Sequence, residues 1–519
     1  MDCHRRIAPS SIEFFSCDAP FSNFDFIEDN FTATDPIRRC FSLARSLGVR
    51  SLIVEDIPAD GLIVDENTEL LSLFPDYSMS GLKRLSFWSK LITDVEMLDD
   101  SSPNDLCGYA ILKNDRVPSL QKNFWHIFEA VFRKYPHPHN CIPFHKEYAV
   151  LVGSREFGVP GVLYAQQNGL NKSCAHVALR TLLTCRLSIG DIPYSVINNI
   201  VKKLLSGYRP SDGLGPRQIR AVLDHFNIPY RDIDYKEEEN NIRKILPFQK
   251  FLYSGIESGC GALLGFHMSG PKASRGRHLK RHIIPFFGHT FNKDTWVPEA
   301  DIAYFKVGGG LGYIPSESWT SSFLGHDDNF GPNLCIPRLY VTPQQADYVI
   351  ELLHDGVAYN SVQAEVVSLP FLYSLQPHLK QSNNRWIQRL VIVMSEQRLV
   401  LRSVCVPRDV YLNHLREQKD WSGKNENSTL INILSDLLPK VIWVVELSLP
   451  HLFPANERKI GEIIMNPFVK PGDSSVKNKM FLLARLPGKL FVILSYQSGS
   501  PNFINVDSNI VSHMPLINV

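Results

Sequence analysis

A thiol stands inside "QQNGLNKSCAHVALRTLL", residues 166–183. Apolar residues recur at helical spacing after Cys174, and Ser173 is a good N-cap type, so the stretch predicts a helix with Cys174 in its first turn. There the helix dipole and the free N–H groups favour an anion, which raises the thiolate share of a cysteine. Gln167 carries an amide able to donate to an oxyanion beside that sulfur, while Gln166 finishes a strand. The competing reading is plain packing, because free cysteine is among the most buried residue types.

A thiolate nucleophile needs a base, and the base needs an orienting acceptor. "RHIIPFFGHTFNKDTW", residues 281–296, offers His282 at the mouth of an apolar strand and His289 seven positions on. At 3.3 Å per residue the two lie about 23 Å apart, so only one can serve Cys174. The acceptor is open among Asp328, in "DNFG", and the nearer Asn292, Asp294 and Glu299.

Together these residues resemble the papain-like cysteine peptidases, in particular the bacterial peptide-processing type. That superfamily has a glutamine shortly before a Cys at a helix N-terminus. Later come a strand of His, four or five apolar residues and Gly, and then an Asn or Asp. The order Gln167, Cys174, His282 is similar, as are "HIIPFFG", the helix-like "GLGPRQIRAVLDHFNIPY" (213–230) and "DNFG" (328–331). The resemblance spans about 150–340. It implies an α+β fold whose papain-like central domain packs a Cys-bearing helix on an antiparallel sheet bearing the His. It also implies a thiol hydrolase of peptide or isopeptide bonds, with no cofactor and no metal. In that scheme Cys174 is the nucleophile, His282 the base, Gln167 an oxyanion donor and Asp328 the orienting group, with His289 and Asp294 as alternatives. The chain departs from the pattern in placing Ala175 and His176 after the Cys, and Asp328 lies 46 residues beyond His282. Acyl transfer to an amine, as in transglutaminases, uses the same machinery. A catalytically inactive binding module of the same fold is the alternative from another class.

The elements that must hold these groups fall into three segments. Residues 1–145 are expected to form an N-terminal α/β region. It includes a helix from Asp35 as N-cap through "DPIRRCFSLARS" and an amphipathic helix over "SLQKNFWHIFEAVFRKY". Residues 146–340 are expected to be the catalytic domain. Residues 341–519 are expected to be a β-rich antiparallel domain, opening with a helix over "TPQQADYVIELLHDG" and a strand over "RWIQRLVIVMS".

Several other motifs carry less. "HPHNCIPFH" sets His137, His139, Cys141 and His145 within nine residues, a zinc-like tract that equally reads as a proline-stiffened linker. Asp327 and Asp328 in "HDDN" offer a cation two carboxylates. The basic run Lys272, Arg275, Arg277, Lys280 and Arg281 abuts His282 and reads either as a rim for acidic partners or as a solvated loop. "GGGLG" (308–312) lacks the Gly-Lys-Ser/Thr ending of a phosphate loop.

Composition bounds the rest. The chain has 519 residues, enough for about three cores. Its 54 basic and 53 acidic residues leave a net charge of +1, which points away from nucleic acid as a partner. Ten scattered cysteines without a Cys-x-x-Cys pair argue for reduced thiols and a cytoplasmic setting. No apolar run reaches membrane-spanning length, so the expected partner is a protein or peptide substrate rather than a membrane.

Overall fold

The computed structural model describes residues 3–134, 140–170, 173–188, 190–209, 213–236, 246–268, 280–293, 305–469, 480–497 and 500–518. The fold is α+β, built on three large sheets.

The first sheet is antiparallel and sequential: Ser11–Ser16, Ser51–Asp56, Ser78–Trp88, Leu106–Val117 and Lys122–Phe132. The helices Asn23–Asn30 and Asp35–Ser46 cover one face. The other face packs on the helix Leu62–Leu73 and on the hairpin Lys146–Val152/Arg155–Gly161. The helix at Asp35 starts one residue earlier than expected, with Thr34 in the N-cap position and proline in the first turn.

The stretch expected as an amphipathic helix is instead the strand Lys122–Phe132, paired along Leu106–Val117. The cause is burial of both faces. Ile127, Ala130 and Phe132 enter one core while Phe128 and Val131 enter the other. A strand covered on both sides is a continuous apolar run, whose spacing also satisfies a helical stripe. The same physics overturns the expected helix before residue 355: Ala346–Leu352 is a strand with every residue buried.

The central sheet runs Gly331–Pro337, Thr320–Asp327, Lys280–Phe291, Ala262–Met268, Ala346–Leu352, Tyr230–Asp234. The short strand Asn140–Cys141 also pairs with Lys280–Phe291. All these pairings are antiparallel. The helix Cys174–Arg186 lies against the strand Lys280–Phe291. Gly288 is required by the close approach of Asn140–Cys141: a Cβ there would meet the Cys141 carbonyl oxygen at 2.9 Å.

The third sheet joins Phe305–Val307, Leu311–Pro315, Val400–Pro407, Val441–Ser448, Gly461–Met465, Phe481–Leu486, Lys489–Gln497 and Ser500–Asp507. It is not wholly antiparallel, because Leu311–Pro315 runs parallel to Val400–Pro407. "RWIQRLVIVMS" is a helix, Arg385–Ser395, rather than a strand. Asn384 caps it by accepting from Trp386 and Ile387 N–H, and Trp386, Ile387, Leu390 and Met394 face the core. Sheet membership therefore crosses both 145/146 and 340/341.

Two buried ionic knots tie the segments together. Glu129 accepts from Arg5, Tyr109 and Arg180, and its Oε2 lies 2.9 Å from His4 Nε2. Asp191 accepts from Arg5 and Arg180. Arg180 belongs to the Cys174 helix, so the knot anchors that helix on the first sheet. Farther along, Arg402 binds Glu257 of the helix Phe248–Glu257 and Glu446 of the neighbouring strand.

Candidate functional site

Cys174 is the first residue of a 13-residue helix whose following residues, Ala175 to Thr184, are all buried. Its apolar contacts pin it, and Arg180 locks its rear. Ser173 occupies the N-cap position, but its hydroxyl makes no capping bond and is buried without a hydrogen-bond partner among the described residues. The expected side-chain cap is therefore missing, which leaves the first-turn N–H groups beside Cys174 uncapped by a side chain.

His282 lies on the strand facing that helix, cross-strand from Phe266, and the two rings meet edge-on at 5.6 Å. Its Nε2 is 3.1 Å from Asp327 Oδ1 and 3.4 Å from Asp328 Oδ1. The Cys174 thiol is within hydrogen-bonding reach of the same ring. Burial draws the ring's pKa down. Hydrogen bonds to Asp327 and Cys174, with the charges of both aspartates, outweigh burial and raise it to about 10. The ring thus keeps its proton at neutral pH.

The 46-residue gap closes through sheet register. Phe286 pairs with Gly325 on the adjacent antiparallel strand, so continuing that register brings residues 327–329 level with His282. Both aspartates reach the ring, and Asp327 is the closer acid. Burial pushes the Asp328 carboxyl up to about 6, aided by Asp327 and opposed by His282. Asp328 Oδ2 is buried with no hydrogen-bond partner among the described residues.

Gln167 joins this cluster at one remove. Its Nε2 donates to Asn329 Oδ1 at 2.9 Å, and Asn329 Nδ2 lies 3.5 Å from His282 Nε2. Gln166 instead accepts from the Ile127 N–H at the edge of the first sheet. Sequence reasoning passed over Asn329, and also over Tyr348. The Tyr348 ring fills the space over Gly265, where a Cβ would come within 2.2 Å of it. Burial and the neighbouring Cys174 raise the Tyr348 hydroxyl's pKa.

His289 is not at this site. It is 1% exposed, and its Nε2 is 2.6 Å from Glu257 Oε1. Asn292 is described but lies beyond His289 on the same segment, past the strand's end. Asp294, Glu299, His137, His139, Lys272, Arg275 and Arg277 fall outside the described residues. The Lys280 side chain does so too, while Arg281 is exposed beside His282. The Gly308–Gly310 turn precedes a sheet strand and is not followed by a helix, so it forms no phosphate loop.

Among the described residues, three acid-containing sets bring possible metal-ligand atoms within 4.8 Å of one another: His282/Asp327/Asp328, Cys141/Glu257/His289 and His4/Glu129/Asp191. In the last two, arginines already occupy the carboxylates. In the first, both acids face a ring that holds its proton. No protein-family model matches the chain, and comparison with curated proteins returns no match.

Proposed function

We propose that this protein is a papain-like thiol hydrolase acting on a peptide or isopeptide bond at Cys174. The observation that carries the reading is a His282 ring that has the Cys174 thiol within hydrogen-bonding reach and Asp327 and Asp328 at its Nε2. With Nε2 given to the acids, Nδ1 is the nitrogen left for sulfur. A protonated His282 holds a Cys174 thiolate as its ion pair.

The thiolate attacks the carbonyl carbon, and a C–S bond forms. The oxyanion is met by the first-turn N–H groups and by the second amide hydrogen of Gln167. The C–N bond then breaks, and the leaving amine takes the proton from His282. Water, deprotonated by His282, hydrolyses the thioester and restores the ion pair. The sequence of groups in space supports this reading, as does the uncapped helix mouth.

The test is cleavage of a quenched-fluorescent peptide library, read by mass spectrometry. Cleavage by the wild type and its loss in C174A support the proposal. Cleavage that survives in C174A, or a Cys174 that alkylates no faster than the exposed Cys335, overturns it.

A further inference from the structure

A second cysteine, remote from Cys174, has the same kind of surroundings. Cys141 is half-buried on the short strand that pairs with Lys280–Phe291, directly opposite His289. Its sulfur, a ring nitrogen of His289 and a carboxylate oxygen of Glu257 lie within 4.8 Å of one another. His289 Nε2 is committed to Glu257, while its buried Nδ1 has no hydrogen-bond partner among the described residues. Glu257 is held in turn by Arg402, with Nε at 2.9 Å and Nη2 at 2.5 Å. All four residues line a cavity of about 420 Å³, and no other cysteine among the described residues lines it.

We propose that Cys141, with His289 as its cationic partner and Glu257 as the orienting acid, is a peroxide-reactive modification site served by this cavity. A thiolate beside an imidazolium and reached by small molecules meets the conditions for selective oxidation. Arg402 already neutralises Glu257, which disfavours a metal cation there. In the step, sulfur attacks one oxygen of a hydroperoxide, an S–O bond forms and the O–O bond breaks. The sulfur gives up two electrons and becomes a sulfenic acid. The hydroxide or alkoxide that leaves takes its proton from His289 and departs as water or an alcohol. With no second thiol on the cavity wall, the sulfenic acid has no partner there for a disulfide. The ring's charge supports the scheme. Burial opposes protonation of His289, yet Cys141 and Glu257 raise its pKa to about 10. The other charged or titratable groups facing the cavity are Tyr253, Arg402, Lys134, Glu457 and Arg458.

The test treats the full chain with hydrogen peroxide, traps sulfenic acid with dimedone and maps tryptic peptides. Cleavage after Lys134 and Lys146 isolates Cys141, and cleavage after Lys172 and Arg180 isolates Cys174, so the two thiols are read separately. An ordinary thiol is only about 0.3% ionised at pH 6. At that pH Cys141 is expected to be trapped at least about ten times faster than the exposed Cys335, and H289Q is expected to abolish the advantage. Equal rates for Cys141 and Cys335, or an unchanged rate in H289Q, overturn the proposal. So does protection of Cys141 by stoichiometric zinc. Should H289Q fail to fold, the wild type decides alone. A Cys141 rate that falls less than about threefold from pH 8.5 to pH 6 supports the proposal, and a fall of about a hundredfold, as for an ordinary thiol, overturns it.

Discussion

Replacing Asp327 by Asn isolates the charge behind His282. Asn keeps the shape, and its Oδ1 can still accept the Asn329 N–H that Asp327 accepts at 2.8 Å. What is lost is a negative charge 3.1 Å from the ring. An opposite charge at that range moves a pKa by about 1–3 pH units. The ring starts at about 10, and in the proposed ion pair its charge is what favours the thiolate. At pH 6 a thiol without that partner is about 0.3% ionised, so the ion pair is worth at most about 300-fold in thiolate. Iodoacetamide alkylation of Cys174 at pH 6 is therefore expected to fall by about tenfold or more in D327N, and to converge with the wild type near pH 9. D328N is the internal contrast. The Asp328 carboxyl, pushed up to about 6, is half protonated at that pH and contributes less charge. Its loss is expected to cost no more than about threefold. Rates read by peptide mapping against Cys335 decide the matter. A D327N rate within twofold of the wild type at pH 6, or a larger effect from D328N, refutes the assignment of Asp327 as the principal orienting acid.

Other outcomes follow from the same geometry. Q167A is expected to lower kcat for peptide cleavage by about a hundredfold with little change in KM, while alkylation of Cys174 stays near wild type. R180M leaves Arg5 as the one remaining guanidinium on both Glu129 and Asp191 and is expected to cost about 3 kcal/mol in urea denaturation. Chelators are expected to leave peptide cleavage unchanged, because the proposed steps use no metal. His282 and His289 both carry pKa values raised to about 10, so their contribution is complete below the unfolded value of about 6.5 and is lost as pH rises through 10. The urea midpoint is accordingly expected to fall between pH 7 and pH 10, and less steeply in H289Q.

Cys174, His282 and Gln167 were legible because each sits in a local pattern: an apolar helix after a thiol, and an apolar strand after a histidine. The structure brings all three to one place. From the sequence, Asp327 reads only as a possible cation ligand, and Asp328 as the orienting acid. Two adjacent acids at a strand end differ only in which one faces the partner strand, and that depends on register. The cluster around Cys141 left no local trace, since residues 141, 257, 289 and 402 meet only through tertiary packing. The misread elements share a cause. Lys122–Phe132 and Ala346–Leu352 are covered on both faces, so the alternation that marks a strand is erased. Arg385–Ser395 is rich in β-branched residues, yet its Asn384 cap and one-sided burial make it a helix.

The knot at Arg180 bears on how the protein can be dissected. A fragment cut at residues 146–340 would keep Asp191 but lose Glu129, Arg5 and Tyr109, leaving the Cys174 helix with a half-matched guanidinium at its back. It would also lose Ala346–Leu352 from between two strands of its sheet. The residues around Cys174 thus depend on partners from both sides of that cut. Recombination or truncation that treats them as a portable cassette is expected to yield an insoluble fragment rather than a smaller protein.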